Sequence, residues 1–183
     1  MKLKHNISER QLIQRCRKGD TKAQFTLYKQ YYKGMYNVAL RILNDTAEAE
    51  DIMQEAFLAA FDKLELFSGE VPFGAWLKKI VVNRSLDALR KRKMLLEDID
   101  EQKTALIEED TAPENTEEKL ELIKYVLAGM SEKNRVLLSL HLIEGYSHEE
   151  IADILEMKHG AVRVAYLRAK KKLQEELAKT LSA

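Results

Sequence analysis

Basic side chains follow one another without acidic ones between them in residues 158–172. This stretch holds six Lys or Arg residues and no Asp or Glu. Apolar residues recur through it at helical spacing: Val162, Tyr166, Ala169 and Leu173. A helix with a cationic outer face suits the phosphates of nucleic acid, because cations neutralise the backbone charge. The chemistry indicated is therefore binding and not covalent catalysis.

A short helix is predicted immediately before this basic stretch. Ser147 takes the N-cap position and Glu150 follows three residues later, which is a capping box. The turn covers residues 156–159, and Gly160 is expected to let the second helix begin close to the first. The outline is that of a helix-turn-helix, whose second helix lies in the DNA major groove. An ordinary helical hairpin with a solvated basic face is the alternative.

A second set of residues suited to nucleic acid lies in residues 67–93. Residues 67–73, FSGEVPF, combine two phenylalanines with a glycine and a proline, which predicts a shaped loop. The helix predicted at residues 74–93 has an outer face rich in Lys and Arg. Single-stranded nucleic acid offers phosphates to cations and unstacked bases to aromatic rings, so the segment fits such a partner. The alternative, favoured for Trp76, is that these aromatic residues belong to the core.

The composition predicts an all-α, cytoplasmic protein. Two prolines and seven glycines in 183 residues leave long uninterrupted helical patterns, and no strand alternation competes with them. The single cysteine, Cys16, excludes an internal disulfide, and no Cys/His cluster has the spacing of a metal site. No apolar run approaches the length of a membrane span, so membrane insertion is not expected. No phosphate loop or nucleophile-base arrangement indicates an enzyme, and no cofactor is predicted.

Charge is segregated along the chain although the formal net charge is zero. Residues 1–93 carry 18 basic and 11 acidic side chains, residues 94–119 carry 2 and 10, and residues 120–183 carry 10 and 9. This pattern predicts two small helical domains joined by an acidic linker, the second containing the helix-turn-helix. The predicted boundaries are 1–94 for the first domain, 95–118 for the linker and 119–183 for the second domain.

Helical spacing also places the remaining elements. Helices are predicted at residues 8–19, 21–43, 46–66, 74–93, 119–130 and 132–144, before the helix-turn-helix. Tyr28, Tyr32 and Tyr36 form a stripe that could stack bases, but a helix-packing seam is favoured. The outer face of residues 46–62 is acidic and nearly free of lysine, which indicates either solvation or docking onto a basic protein surface.

These stretches together resemble the sigma-70 family of bacterial RNA polymerase initiation factors, specifically its small two-domain extracytoplasmic-function (ECF) group. Four stretches carry the resemblance: residues 27–43, 47–64, 73–93 and 131–173. Two of them contain specific motifs, D-I-x-Q-E-x-F at residues 51–57 and W-L-x-x-I-x-x-N-x-x-x-D-x-x-R at residues 76–90, and the C-terminal module follows in order. The resemblance implies a protein that directs core RNA polymerase to promoters and begins DNA melting at the −10 element. It also implies control by an anti-sigma factor that clamps the two domains.

The resemblance assigns three groups of residues. Contacts with core polymerase are implied for Asp51, Gln54, Glu55 and Phe57. The 67–73 loop matches the segment that receives a base flipped out of the −10 element, and Asp87 the position nearest that base. Contacts with the −10 element are implied for Phe67, Ser68, Gly69, Asn83, Arg84, Asp87, Arg90 and Lys91. Contacts with the −35 element are implied for Lys158, His159, Arg163, Val164, Ala165, Leu167, Arg168, Lys170 and Lys171.

The chain departs from the family pattern at Val164 and Ala165, where many relatives have a Ser-Arg pair. Apolar side chains there can touch a thymine methyl but cannot donate a hydrogen bond. Reading of −35 bases would then depend on Arg163, Arg168, the lysines and DNA shape. A second hypothesis is a stand-alone helix-turn-helix regulator with an N-terminal sensor or dimerisation domain. The basic helix and aromatic loop favour the sigma factor, because a sensor domain has no need of them.

Overall fold

The computed structural model describes residues 8–96 and 116–181. These residues form helices joined by short turns, and no strand occurs among them, so the predicted all-α class is confirmed. They divide into two compact units between Lys91 and Arg92. The predicted linker at residues 95–118 lies outside the described residues, apart from its two ends. Within the described part of the chain, no helix is both long and apolar enough to cross a membrane.

The N-terminal unit is built from three helices, one 3₁₀ turn and most of a fourth helix, whose last residues lie beyond Lys91. Their bounds are α1 Glu9–Arg17, α2 Thr21–Leu43, α3 Thr46–Asp62, the 3₁₀ turn Leu64–Leu66 and α4 Phe73–Leu96. The first three helices begin at side-chain caps, because Ser8, Asp20 and Asp45 each accept a hydrogen bond from a first-turn amide. Asn44 ends α2 in the left-handed conformation, with φ of 56°.

The core of this unit lies where α2 packs against α1 and α3. Its largest fully buried side chains are Leu27, Ile42, Leu43, Leu64, Phe73, Leu77, Val81 and Val82. Tyr28 stacks on Tyr32 at a centroid distance of 5.6 Å and meets Phe57 at 4.9 Å. Tyr28 therefore packs between α2 and α3, as favoured from the sequence for the tyrosine stripe, and Tyr32 stacks against it.

The C-terminal unit contains the predicted helix-turn-helix. Its elements are α5 Thr116–Gly129, α6 Glu132–Leu138, a π-helical turn Ser139–Ile143, α7 His148–Leu155 and α8 His159–Leu181. The capping box is present: the Ser147 hydroxyl accepts from the Glu150 amide, and the Glu150 carboxylate accepts from the Ser147 amide. The predicted apolar face of α8 is buried at Val162, Tyr166, Ala169 and Leu173.

Three local predictions need correction. The helix predicted at residues 46–66 ends at Asp62, since a 3₁₀ turn then brings Leu64 into the core. The helix predicted at residues 132–144 ends at Leu138, and the next turn widens so that the Glu144 amide bonds the Ser139 carbonyl. Gly160 does not make the tight turn, because a Cβ there would meet nothing within 4 Å. The left-handed residue is Glu156, with φ of 55°.

Candidate nucleic-acid interface

Three aromatic rings form the base of the loop at residues 67–73. The ring centroid of Phe67 lies 5.7 Å from that of Phe73 and 5.2 Å from that of Trp76. Phe73 is fully buried and Phe67 is 6% exposed, whereas Trp76 is half-buried. Burying a ring of this size contributes about 1.5–3 kcal/mol, so the Phe67 ring belongs to the core, although the resemblance implied that this residue contacts the −10 element. Phe67 therefore shapes the loop from inside.

The tip of the 67–73 loop is exposed. Ser68, Gly69, Glu70 and Val71 all lie at the surface. Gly69 has φ of 81°, a left-handed conformation that a glycine adopts without strain. The Ser68 hydroxyl accepts a hydrogen bond from the Glu70 amide at 3.3 Å, which closes the turn around Gly69. Ser68 and Gly69, predicted to contact DNA, are thus accessible on an ordered tip.

The first end of the loop is held by an arginine from α1. Nη2 of Arg17 donates to the Phe67 carbonyl at 2.6 Å, and its Nε donates to the Leu64 carbonyl at 3.3 Å. A weaker contact of 3.9 Å joins the same Nε to the Glu65 carboxylate. Sequence reasoning missed Arg17, because the residue that it supports lies 50 positions away and no local pattern links the two.

The other end of the loop rests on Tyr31 of α2. Its ring meets Phe73 at a centroid distance of 5.5 Å, and its hydroxyl is hydrogen-bonded to the Glu9 carboxylate of α1. Burial, aided by Glu9, raises the pKa of Tyr31, so the hydroxyl stays protonated and donates. Gly74 permits this contact, since a Cβ there would lie 2.7 Å from the Tyr31 ring. Both ends of the loop are therefore tied to α1.

The outer face of α4 pairs its arginines with carboxylates. Nη1 of Arg84 lies 2.7 Å from Oε2 of Glu55 on α3, and Nη1 of Arg90 lies 3.0 Å from Oδ1 of Asp87. Exposed pairs of this kind contribute at most about 1 kcal/mol, so a phosphate can replace the carboxylate. The other predicted contacts on this face, Asn83 and Lys91, are exposed. Glu55 and Arg84, predicted for two different partners, meet across α3 and α4.

The acidic face of α3 is exposed as the sequence indicated. Asp51, Gln54 and Glu55 lie at the surface. Phe57 does not: it is 2% exposed and packs against Tyr28, because it lies on the apolar stripe of the helix. This corrects the expectation that Phe57 touches a partner directly. A shallow groove of about 370 Å³ lies beside the face, lined by Glu55, Leu58, Ala59, Asp62, Lys63 and Arg84.

The outer face of α8 presents cations around an apolar centre. The exposed residues of α8, together with the residue before it, include these predicted −35 contacts: Lys158, His159, Arg163, Val164, Leu167, Arg168, Lys170 and Lys171. Ala165 is half-buried. Val164 is 49% exposed and Leu167 is 66% exposed, three positions apart and so on neighbouring parts of one face. All the predicted −35 contacts except Ala165 are thus accessible.

A cluster of two histidines and a tyrosine supports α8 from the inside. His141 stacks on His148 at 4.4 Å, and Tyr166 of α8 lies 4.6 Å from the first ring and 4.8 Å from the second. Nδ1 of His141 is 2.8 Å from the Tyr146 carbonyl. Burial, helped by the nearby charges of His141, Arg163 and His159, lowers the pKa of His148. No group of three or more His, Cys, Asp or Glu side chains in residues 8–96 and 116–181 could hold a metal ion.

Comparison with known families identifies both units. The family described as Sigma-70 region 2 matches residues 27–94, and the family described as Sigma-70, region 4 matches residues 120–173. The ECF RNA polymerase sigma-E factor of Escherichia coli K12 is 27% identical over 186 residues, which cover 96% of this chain and 97% of that relative. The chain belongs to the ECF group of the sigma-70 family.

A second curated relative and two solved structures are also similar to this sigma factor. The RNA polymerase sigma-H factor of Pseudomonas aeruginosa is 28% identical over 180 residues, covering 92% of this chain and 93% of the relative. The fold is similar to that of the sigma factor RpoE in complex with the anti-sigma factor NepR from Bartonella quintana. That similarity has a TM-score of 0.60 at 23% identity, over 84% of this chain and 95% of that one. CnrH, solved in complex with the cytosolic domain of CnrY, has a TM-score of 0.56 at 22% identity, over 93% of this chain and 97% of that one.

The family match assigns the two surfaces to different regions of the sigma factor. The 67–73 loop, the acidic face of α3 and α4 up to Met94 lie within region 2, and α8 lies within region 4 up to Leu173. Helix α1, which holds the loop through Arg17 and Glu9, precedes the residues matched by region 2. The structure therefore adds a supporting element to the matched region.

Proposed function

We propose that this sigma factor directs core RNA polymerase to specific promoters by binding the −35 element as duplex and the −10 element as an opened strand. The observation that most supports this is the different make-up of the two surfaces, which lie on separate compact units. One is a cationic helix face without acidic residues from Lys158 to Gln174. The other is an ordered loop tip beside a helix that carries both cations and hydrogen-bonding groups.

Duplex DNA would bind along α8. Arg163, Arg168, Lys170 and Lys171 supply cations for the phosphates, and each phosphate neutralised steepens the log-log salt dependence of binding by about 0.9. Val164 and Leu167 supply apolar surface to thymine methyls, because the methyl is the apolar feature that thymine presents in the major groove. The helix would then hold duplex DNA mainly by charge and read a few positions by apolar contact.

The opened strand would bind at the 67–73 loop and α4. Ser68 and the backbone around Gly69 offer hydrogen-bonding groups to a base, while Asn83 and Asp87 offer a donor and acceptors to base edges. Arg84 and Arg90 would exchange their carboxylate partners for phosphates. Unstacking a base costs a few kcal/mol, so a site that binds the extruded base favours the melted promoter.

Core polymerase would dock on α3. Asp51, Gln54 and Glu55 form an exposed, mainly acidic face, and the groove beside it adds the exposed side chain of Leu58. An acidic face with an apolar centre is complementary to a basic, partly apolar partner surface. Phe57 supports this face from the core. An anti-sigma factor is the second partner proposed, on the analogy of the sigma factor RpoE of similar fold, which was solved in complex with the anti-sigma factor NepR.

Reconstituted transcription tests this function. The purified chain is added to core polymerase with fragmented genomic DNA, and the 5′ ends of the transcripts are sequenced. The expected result is a set of start sites that share one −35 and one −10 sequence and are absent with core polymerase alone. The double variant Arg163→Ala, Arg168→Ala is expected to bind core polymerase normally and to lose the preference for the −35 sequence.

A binding assay without DNA distinguishes the alternative. The tagged chain is incubated with core polymerase, and co-elution is compared with that of the variant Asp51→Ala, Glu55→Ala. The proposal predicts co-elution that the variant weakens. A chain that fails to bind core polymerase but protects duplex promoter DNA on its own would instead be a stand-alone helix-turn-helix regulator.

A further inference from the structure

Helix α1 lies outside the region 2 match, yet it makes the hydrogen bonds that hold the 67–73 loop. Its own position is fixed, because Leu12, Ile13 and Cys16 are buried and a capping box closes its first turn. From this fixed helix Arg17 extends to the carbonyls of Leu64 and Phe67. The guanidinium therefore defines where the loop leaves the 3₁₀ turn.

We propose that Arg17 is a positioning residue for base capture in the −10 element. This inference rests on the proposed function, since it concerns the same loop. The carbonyl of Phe67 precedes Ser68 and Gly69 directly, so the bond of 2.6 Å from Arg17 fixes the backbone immediately before the exposed tip. Arg17 touches neither DNA nor polymerase in this role and acts through the loop.

Arginine suits this task better than lysine does. Its planar guanidinium presents donors in a fixed fork, so two carbonyls three residues apart are held at one separation. A lysine ammonium carries the same charge on a flexible stem and lacks that fork. Arg17→Lys should therefore hold the loop only in part, and Arg17→Ala should release it.

The loop also has a second attachment, which keeps it folded when the first is lost. Tyr31, hydrogen-bonded to Glu9, packs against Phe73 at the far end, and Phe67 and Phe73 remain in the aromatic cluster. Removing the Arg17 side chain is thus expected to loosen the first half of the loop, around Ser68 and Gly69, while α4 stays in place.

The test uses the holoenzyme and a promoter template whose −10 element is single-stranded. An abasic site is introduced at each −10 position in turn, and the position that weakens wild-type binding most is taken as the captured base. With the intact template, Arg17→Ala is expected to weaken binding about tenfold and Arg17→Lys about threefold. With the abasic template at that position, both variants are expected to bind like the wild type, because no base remains to be captured.

Matched controls separate positioning from loss of stability. Arg10→Ala removes another exposed arginine from α1 and is expected to bind both templates like the wild type. Binding to a duplex fragment that carries only the −35 element should be unchanged in every variant. Should Arg17→Ala fail to fold, the difference between Arg17→Lys and the wild type on the two templates decides the question alone.

Two results would overturn the inference. The first is that Arg17→Ala binds the intact template as tightly as the wild type does. Where only Arg17→Lys folds, the same result for that variant counts in its place. The second is that the variant binds the abasic template more weakly than the wild type does, by the same factor as the intact template, or that it also binds the −35 duplex more weakly. A different result, in which no abasic position weakens wild-type binding, contradicts base capture itself and hence the proposed function of the loop.

Discussion

The two surfaces proposed to bind DNA differ in how closely their arginines are paired with carboxylates. On α4, Arg84 lies 2.7 Å from Glu55 and Arg90 lies 3.0 Å from Asp87. On α8, Lys171 lies 4.0 Å from Glu175, and among the described residues no carboxylate forms a salt bridge with Arg163 or Arg168. Cations without acidic neighbours attract any duplex over several ångströms, in proportion to the phosphates that they neutralise. An arginine that is paired with a carboxylate binds DNA only when a phosphate comes close enough to replace that carboxylate. The difference suits a helix that holds duplex and a helix that recognises an opened strand.

The surfaces also differ in what supports them. The 67–73 loop rests on an aromatic cluster around Phe73 and on hydrogen bonds from α1. The face of α8 is backed by the stacked pair His141 and His148 against Tyr166. The first support combines buried aromatic rings with hydrogen bonds from α1, while the second contains two stacked imidazole rings. The two units should therefore respond differently to mutation and to acid.

Phe73→Ala should produce the largest effect and should confine it to the N-terminal unit. Truncating a fully buried ring lowers the free energy of unfolding by about 3–5 kcal/mol, through lost burial and the cavity left behind. Hydrogen exchange measured by mass spectrometry should show faster exchange in α1–α4 and unchanged exchange in α5–α8. Val71→Ala, at an exposed position in the same loop, is the control and should change neither unit. Equal loss of protection in both units would show that their stabilities are coupled.

Asp87→Ala should alter selectivity at one −10 position. A side chain that reads a base edge is worth about 1–3 kcal/mol of discrimination, which is lost when the carboxylate is removed. Binding of the holoenzyme to templates randomised over the −10 element, followed by sequencing of the bound fraction, measures this. Binding to the −35 duplex should stay the same. A uniform loss across all −10 sequences would mean that Asp87 acts only by holding Arg90.

Replacing thymine by uracil in the −35 element should weaken binding modestly at the position that Leu167 contacts. Uracil lacks only the methyl group, so the expected loss is the value of one buried methyl, about 0.8 kcal/mol. The same replacement tested with Leu167→Ala should make little difference, because the apolar partner is already absent. If no thymine of the −35 element is sensitive to the replacement in the wild type, Leu167 and Val164 do not read thymine methyls.

Mild acid should destabilise the C-terminal unit more than the N-terminal unit. The unfolded chain protonates histidine near its ordinary pKa of 6.5, whereas folded His148 has a lowered pKa and takes up its proton only at more acidic pH. Between those two values the unfolded state binds more protons, so the free energy of unfolding falls as pH falls through that window. Hydrogen-exchange protection factors of α7 and α8 at pH 7.5 and 5.5, in which the intrinsic pH dependence of amide exchange is divided out, measure the effect. His148→Phe keeps a ring in place and should remove the contribution of this group.

The helix starts were predictable because the residues that cap them are adjacent to them in the sequence. Ser8, Asp20, Asp45 and Ser147 precede apolar stripes at helical spacing, and each one caps the helix that follows. The ends at Asp62 and Leu138 were not predictable, since tertiary packing and a widened turn set them. In both cases the pattern continued beyond the point where the helix stops.

The sequence predicted which segments carry the candidate site, but it predicted less well which of their side chains are exposed. Phe57 and Phe67 lie in motifs of the family and also at positions where apolar residues recur for core packing. In the structure both rings are buried. Arg17 was missed because its partners are backbone carbonyls about 50 residues away, which carry no sequence pattern. His141 and His148 were missed because the π-helical turn between α6 and α7 brings them together.

Permanganate reactivity along a promoter tests most directly whether one surface binds duplex DNA and the other binds an opened strand. Permanganate oxidises unstacked thymines, and the promoter found by transcript sequencing is probed with core polymerase, with this sigma factor and with the holoenzyme. The account predicts that the holoenzyme makes −10 thymines reactive while −35 thymines remain protected, and that Asp87→Ala weakens the reactivity at −10 alone. Reactive thymines in the −35 element, or none in the −10 element of a transcribed promoter, would contradict it.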